Sequence, residues 1–100
     1  MILTVLEAHV LPAQEAALLA AYRDAARGPF PPGLVRSVLT HSVSDPRLWR
    51  IETLWASREA LEAMRGHGTP RGVLIFQAAS ATPALSIHEI IDTLSPEHGA

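Results

Sequence analysis

The sequence predicts an α+β domain in which helices cover one face of a four-stranded antiparallel sheet. Two observations favour this fold class. Four segments have the apolar or β-branched composition of strands, and the segments between them have the alanine content and apolar spacing of helices. Prolines and glycines separate these segments, as is typical at the ends of helices and strands.

The first two elements are a strand and a helix. Residues 2–10 form an apolar run that Pro12 ends, which predicts a strand. Residues 13–27 are rich in alanine, which favours a helix, and Gly28-Pro29 stops it. The predicted buried stripe of this helix follows the i, i+4, i+7 spacing and consists of Leu18, Tyr22 and Ala25.

The next two strands are predicted to form a hairpin. Residues 34–43 and Leu48–Trp55 are the strands, and Ser44-Asp45-Pro46 lies in the turn between them. The two-residue period of a strand places four side chains of the second strand on one face. These are Trp49, Ile51, Thr53 and Trp55.

A second helix, Arg58–Arg65, is predicted to follow the hairpin directly. Ser57 offers its side-chain oxygen to the free amides of the first helical turn, and Gly66 ends the helix.

The segment 70–80 is compatible with two structures. Thr69-Pro70 is a typical helix start, with a cap residue followed by proline at the first helical position, whereas the apolar run 73–76 also suits a strand. We predict a helix here. A last strand is then predicted at 85–92, after Pro83.

These elements follow the order β-α-β-β-α-(α)-β, which is the ferredoxin-like split βαβ plan. One hundred residues make one domain, predicted to span 1–94, with 95–100 as a flexible tail. Helices cover only one face of such a sheet, yet the strands are apolar on both faces; Leu48, for example, lies opposite Trp49 in the alternation. We therefore expect the uncovered face to pack against a second copy, giving a dimeric α/β barrel with a cavity in each subunit.

Composition supports a homodimer and argues against nucleic-acid binding. The chain is 48% hydrophobic and only 18% charged, and a dimer would cover apolar surface that a monomer exposes. The alternative is a monomer whose alanine content raises the hydrophobic fraction. The net charge is −2 and the basic residues, all arginine, are scattered, so that no basic stripe is available to neutralise phosphates.

The chain contains no cysteine, which excludes disulfide and thiolate chemistry and fits a cytoplasmic protein. Glu7 and His9 interrupt the apolar N-terminal run, so it is predicted to be neither a signal peptide nor a membrane span. The expected partners are a second copy of the chain and a small apolar or aromatic ligand, with no nucleic acid and no membrane.

Four short segments match a known pattern. They are 10–15 (Val-Leu-Pro-Ala-Gln-Glu) at the first helix, Pro32-Gly33-Leu34 at the second strand, Ser44-Asp45-Pro46 in the hairpin and 54–61 (Leu-Trp-Ala-Ser-Arg-Glu-Ala-Leu). Together they resemble the antibiotic biosynthesis monooxygenase domain family, over about residues 2–92. The resemblance implies the ferredoxin-like dimeric α/β barrel.

The oxygenases of that family work without a cofactor, and the resemblance implies the same here. An aromatic substrate loses a proton, and its carbanion or phenolate passes an electron directly to O2. The protein supplies an apolar pocket, a base and donors that hold the anion. By matching position, Trp55 is the family's tryptophan at the end of the third strand.

Two departures from the family pattern limit what the resemblance implies. The family often has a histidine in the helix after the tryptophan, and this chain has Met64 at about that position. Haem-degrading relatives use an asparagine, and this chain contains none, which argues against haem degradation.

Four histidines are candidate catalytic bases, because imidazole exchanges protons near neutral pH. His9, His41 and His88 lie on predicted strands, and His67 lies between Gly66 and Gly68, from where it could reach a cavity mouth. The alternatives are hydrogen bonds within the sheet for the strand histidines and a surface position for His67. Their spacing is not that of helical metal ligands, so we predict no metal site.

Four further residues are predicted to bind substrate: Trp55, Trp49, Tyr22 and Arg36. Trp55 ends its strand where the chain turns into a helix, so its ring can close one end of a cavity. The alternatives are a core position for both tryptophans, an anchor between helix and sheet for Tyr22, and an ion pair for Arg36.

The predicted function is that of a cofactor-independent monooxygenase acting on a small, electron-rich, quinol-like aromatic compound. One alternative is a non-catalytic ligand-binding or stress-related dimeric α/β barrel. Another is an isomerase or cyclase on the same barrel. A base and an anion-holding donor that converge on the cavity would favour an enzyme, and a dry apolar cavity would favour the binding protein.

Overall fold

A four-stranded antiparallel sheet in the order β2-β3-β1-β4 organises the chain, and it confirms the predicted α+β, ferredoxin-like fold class. The computed structural model describes residues 1–96. The elements are β1 (Ile2–His9), a 3-10 turn (Pro12–Gln14), α1 (Glu15–Ala25), β2 (Leu34–His41), β3 (Leu48–Trp55), α2 (Arg58–Arg65), α3 (Arg71–Ala78) and β4 (Ala84–Glu89). Of the predicted tail, 97–100 lie outside the described residues.

The register of the central strands places their buried side chains on one face. Ile2 of β1 is opposite Trp55 of β3, Thr4 is opposite Thr53, and Ala8 is opposite Trp49. All of these residues are buried, which confirms that alternate positions of β3 form one apolar face. The helices pack on this face.

Three strands end earlier than predicted, and the first of them, β1, ends at His9 rather than at residue 10. We expected the second strand to reach residue 43, but β2 ends at His41, because the Ser42 hydroxyl accepts hydrogen bonds from the backbone N–H groups of Ser44 and Asp45 and closes the turn. The last strand, β4, ends at Glu89 rather than at residue 92.

The two later helices test the predicted capping. The backbone N–H of Ala60 donates to the Ser57 hydroxyl at 3.1 Å, which confirms Ser57 as the N-cap of α2. The predicted helix at 70–80 is confirmed as α3. Its predicted cap is wrong, because Pro70 rather than Thr69 is the N-cap and no side chain makes a capping hydrogen bond.

The core consists of two clusters under the helices. The larger one surrounds Phe76 and Leu18, which are fully buried, and includes Trp49. The smaller one joins Ile2, Trp55 and Leu61. Residues of both clusters line a cavity between the helices and the sheet.

The opposite sheet face carries no helix among the described elements. It contains half-buried apolar residues around a surface ion pair, in which Arg50 Nε donates to Glu7 Oε2 at 2.6 Å. The apolar residues are Leu3, Val5, Val38, Leu48 and Leu54. Within residues 1–96, no helix has the length and hydropathy needed to cross a membrane.

Candidate active site

A cavity of about 450 Å³ lies between the sheet and the helices, at the junction of the two core clusters. Cavities of roughly 300–1,000 Å³ bury most of a drug-sized ligand. Most of its lining is apolar and comes from every layer of the fold: Leu6 and Ile51 from the sheet, Ile75 from α3, Met64 from α2 and Phe30 from the loop before β2.

A β-bulge shapes the wall that β2 contributes. Leu34 pairs with Trp55 and Arg36 pairs with Leu54, which leaves Val35 as an extra residue between them. Leu34 and Val35 consequently both line the cavity, although they are adjacent in sequence.

Trp55, on the neighbouring strand β3, forms part of the same sheet wall. Its side chain is buried, and its indole Nε1 donates to the Thr4 hydroxyl at 3.1 Å. The Thr4 hydroxyl in turn donates to the backbone carbonyl of Thr53 at 3.4 Å. The indole ring is therefore fixed at its polar edge while its apolar surface lines the cavity.

Three hydroxyl groups form a hydrogen-bonded cluster in the cavity lining. Tyr22 from α1 donates to the Ser37 hydroxyl of β2 at 3.0 Å, and the Thr53 hydroxyl of β3 donates to the same oxygen at 3.3 Å. Ser37 and Thr53 are cross-strand neighbours, so the sheet register fixes their separation. The cluster gives an otherwise apolar cavity a polar patch on its sheet wall, between Ile51 and Trp55.

Two arginines border the cavity. Arg71, at the start of α3, donates from Nη1 to the Pro29 carbonyl at 2.8 Å and holds the loop that carries Phe30 and Pro31. Arg36 borders it from the bulge of β2. Arg36 pairs with Leu54 of the open face, so among residues 1–96 the charged group held on the helix side of the cavity is the Arg71 guanidinium, whose positive charge favours an anionic ligand.

Three of the four predicted substrate-binding residues line the cavity: Trp55, Tyr22 and Arg36. Trp49 does not. It is buried at the other end of β3, in the larger core cluster, with its ring 4.7 Å from that of His41. The sequence placed both tryptophans on one face correctly, but the cavity covers only one end of that face.

None of the four predicted catalytic histidines lines the cavity. The sheet register places His9 and His88 on the face away from the helices, where His9 pairs with Asp45 at 3.1 Å and His88 bonds Ser86. His41 lies at the far end of the sheet beside Trp49. His67 lies in the exposed turn after α2, not at the cavity, which corrects the expectation that it reaches the opening. A catalytic role for any of them stays a prediction.

Sequence reasoning missed four polar residues at the cavity: Thr4, Ser37, Thr53 and Arg71. A signal was present in the strands. Thr4 and Thr53 interrupt otherwise apolar faces, and polar side chains at such positions need partners. Arg71 gave no signal, because only the fold brings the start of α3 next to the loop before β2. Within the described part of the chain, no group of three or more His, Cys, Asp or Glu side chains could hold a metal ion.

Comparison with known proteins gives a family match. The model of the antibiotic biosynthesis monooxygenase family matches residues 1–71. No curated protein matches the chain significantly in sequence.

Solved structures share the fold over nearly the whole chain. A variant of SnoaB, a cofactor-independent oxygenase from Streptomyces nogalater, is 22% identical with a TM-score of 0.71, covering 96% of this chain and 97% of that one. A protein from Caulobacter crescentus CB15, assigned as an antibiotic biosynthesis monooxygenase, is 23% identical with a TM-score of 0.71 (91% and 90% covered). A protein from Deinococcus radiodurans with the same assignment is 14% identical with a TM-score of 0.73 (95% and 97% covered). At these identities the similarity shows the fold alone.

Proposed function

The chain belongs to the antibiotic biosynthesis monooxygenase family, and on that premise we propose that it is a cofactor-independent monooxygenase of a small, electron-rich, quinol-like aromatic compound. The observation that carries the proposal is the cavity itself. It is apolar and walled by Trp55, it has a hydroxyl cluster on its sheet wall, and the positive Arg71 lies at its border. Such a site suits a flat aromatic ring with an oxygen that becomes negative.

The proposed reaction needs no reductant besides the substrate. For a phenol with an unsubstituted para position, the phenolate passes one electron to O2, and the resulting radical and superoxide form a C–O bond at the para carbon. The O–O bond then breaks as the para proton leaves. One oxygen atom becomes the second carbonyl of the quinone and the other leaves as hydroxide, which takes up a proton to give water.

The protein's contribution in this scheme is electrostatic. The guanidinium of Arg71 favours binding of the phenolate over the neutral phenol, and the phenolate is the electron donor. The hydroxyl cluster gives the substrate oxygen a fixed partner, and preorganised donors at a site of developing charge are among the larger contributions to catalysis. The apolar walls exclude water from the radical pair.

Oxygen uptake tests the proposal. We expect chelator-treated protein to consume O2 with one or more members of a panel of naphthols and anthrones whose para position is unsubstituted. One O2 should disappear per substrate, without hydrogen peroxide, and label from ¹⁸O2 should enter the quinone. Peroxide formation without label in the product would identify an oxidase instead. Absence of uptake across the panel would contradict the monooxygenase proposal.

Gly72→Ala tests whether O2 consumption takes place in this cavity. A Cβ at position 72 would lie 2.5 Å from Leu6 Cδ1, so the Leu6 side chain must move, and both residues line the cavity. Alanine also favours the helix, so the fold is expected to persist. Uptake that the variant does not lower would place the reaction outside this cavity.

A second candidate function is ligand binding without catalysis. It is favoured by the composition of the lining within residues 1–96, where the polar side chains are hydroxyls and guanidiniums rather than imidazoles or carboxylates. The two candidates differ in one result: a binding protein would take up members of the same panel without consuming O2.

We propose further that two chains associate through the sheet face that lacks helices. That face holds five half-buried apolar residues, and the family resemblance implies a dimeric barrel. Pairing two such faces would remove apolar surface from water at about 25 cal/mol per Å².

Val5→Lys is expected to shift the dimer towards monomer. Val5 lies on the open face of the central strand β1, opposite Glu52, so a lysine can form a cross-strand pair in the monomer but would be buried as a charge in the dimer. Val43→Lys, at a 98% exposed loop position, is the matched control and should leave the dimer intact. Sedimentation velocity at micromolar concentration measures both. A wild-type monomer would contradict the proposal.

A further inference from the structure

The hydroxyl of Ser37 is the shared acceptor of the hydroxyl cluster in the cavity lining. It accepts one hydrogen bond from Tyr22 and another from Thr53. A hydroxyl has two lone pairs and one proton, so both acceptor sites of Ser37 are occupied and its proton is left to donate. The described residues contain no acceptor that takes this proton by hydrogen-bond geometry.

The position of Ser37 in the cavity lining allows a bound ligand to accept the hydrogen bond that its hydroxyl donates. Ser37 is half-buried and lines the cavity, beside the buried Thr53 and the apolar walls. Water can accept this proton while the cavity holds no ligand. A ligand oxygen that displaces the water would replace its hydrogen bond, whereas a hydrocarbon would leave the donor without a partner.

The two neighbours of Ser37 orient its proton. Thr53 is its cross-strand partner, so the sheet holds the two residues at a fixed separation, and Tyr22 reaches Ser37 from α1. With both lone pairs directed at these donors, the remaining O–H bond of Ser37 has little freedom to turn. Tyr22 and Thr53 are therefore positioning residues for Ser37.

We infer that Ser37 is the specificity-determining residue of the cavity, donating a hydrogen bond to a carbonyl or phenolate oxygen of the ligand. The inference rests on the proposed function for the identity of the site, but it concerns binding rather than turnover. It predicts that the cavity selects aromatic compounds that carry an acceptor oxygen over hydrocarbons of the same shape.

Binding of two probes to the wild-type chain and to Ser37→Ala tests the inference. The probes are 1,4-naphthoquinone, which has only acceptor oxygens, and naphthalene, which has none; the chain has no cysteine thiol that would add to the quinone. Equilibrium dialysis should show about fivefold weaker binding of the quinone to Ser37→Ala, as expected for loss of one hydrogen bond. Naphthalene affinity should change by less than about twofold, because it makes no such bond.

Ser37→Thr is the conservative control. Threonine keeps the hydroxyl and is well accepted in strands, so it should restore most of the quinone affinity that alanine loses. Equal weakening of both probes by Ser37→Ala, or no change in either, would overturn the inference.

The outcomes separate the inference from the proposed function. If the preference for the quinone over naphthalene depends on Ser37 but no O2 is consumed, the monooxygenase proposal is contradicted and the role of Ser37 in binding is supported. If Ser37→Ala consumes O2 and binds the quinone as tightly as the wild-type chain, the monooxygenase proposal is supported and the role of Ser37 in binding is contradicted. Failure of the wild-type chain to bind either probe would overturn the inference together with the ligand cavity.

Discussion

Replacing Trp55 with alanine is expected to lower the free energy of unfolding by about 3–5 kcal/mol, the usual cost of removing a large buried aromatic side chain. Trp55 is 4% exposed, packs against Ile2 and Leu61, and donates a hydrogen bond to Thr4. For a domain of this size each kcal/mol corresponds to roughly 4–8 °C. Thermal unfolding should therefore show a loss of more than about 12 °C.

Trp55→Phe is expected to separate the two roles of this residue. Phenylalanine keeps most of the apolar volume, so the fold and the proposed dimer should persist, but it shortens the cavity wall and removes the bond to Thr4. Affinity for an aromatic ligand should fall about fourfold, because the smaller ring removes roughly one methylene-sized apolar contact, about 0.8 kcal/mol. Equilibrium dialysis with 1,4-naphthoquinone measures the change.

Trp49→Phe is the matched control for this experiment. Trp49 lies on the same strand face and is also buried, but it belongs to the other core cluster and does not line the cavity, and its Nε1 has no partner within the described residues. It should lower stability without changing ligand affinity. If Trp55→Phe also destabilises without weakening binding, Trp55 is a core residue only and the ligand lies elsewhere.

The segment around β3 and α2 shows why much of the fold could be predicted. The strand period, the cap residue Ser57 and the stop at Gly66 are all local, and the observed bounds of both elements equal the predicted ones. Local rules worked less well at residues 42 and 43, which suit a strand by composition. There a side-chain hydrogen bond to the turn competes with strand pairing.

The candidate site was harder to predict because it depends on which strand face the helices cover. Alternation divides a strand into two faces, but the chain alone did not show that His9 and His88 lie on the open face. The hydroxyl cluster joins Tyr22, Ser37 and Thr53, which come from three separate elements. Only the register of β2 on β3 and the packing of α1 bring them together. Trp55 was predictable because a family motif marks it.

The second large effect is expected at Gly33, where alanine should lower the free energy of unfolding by about 2–5 kcal/mol. Gly33 has a φ of 84°, a conformation that costs a residue with a side chain about 1–2 kcal/mol. A Cβ at this position would also overlap the Ala60 Cβ of α2, and overpacking adds roughly 1–3 kcal/mol. Chemical denaturation of the variant measures the sum.

Ala60→Gly separates the conformational cost of Gly33→Ala from the cost of overpacking, because it removes the methyl group that the new Cβ would meet. Glycine in α2 itself costs about 1 kcal/mol, but in this background Gly33→Ala should cost only the conformational part, about 1–2 kcal/mol. The overlap also pushes on the helix that carries Met64, which lines the cavity. Ligand affinity should therefore fall in Gly33→Ala and recover in the double variant. An equal cost of Gly33→Ala in both backgrounds would show that α2 does not approach Gly33 this closely, and that the loop before β2 sets the cavity wall without it.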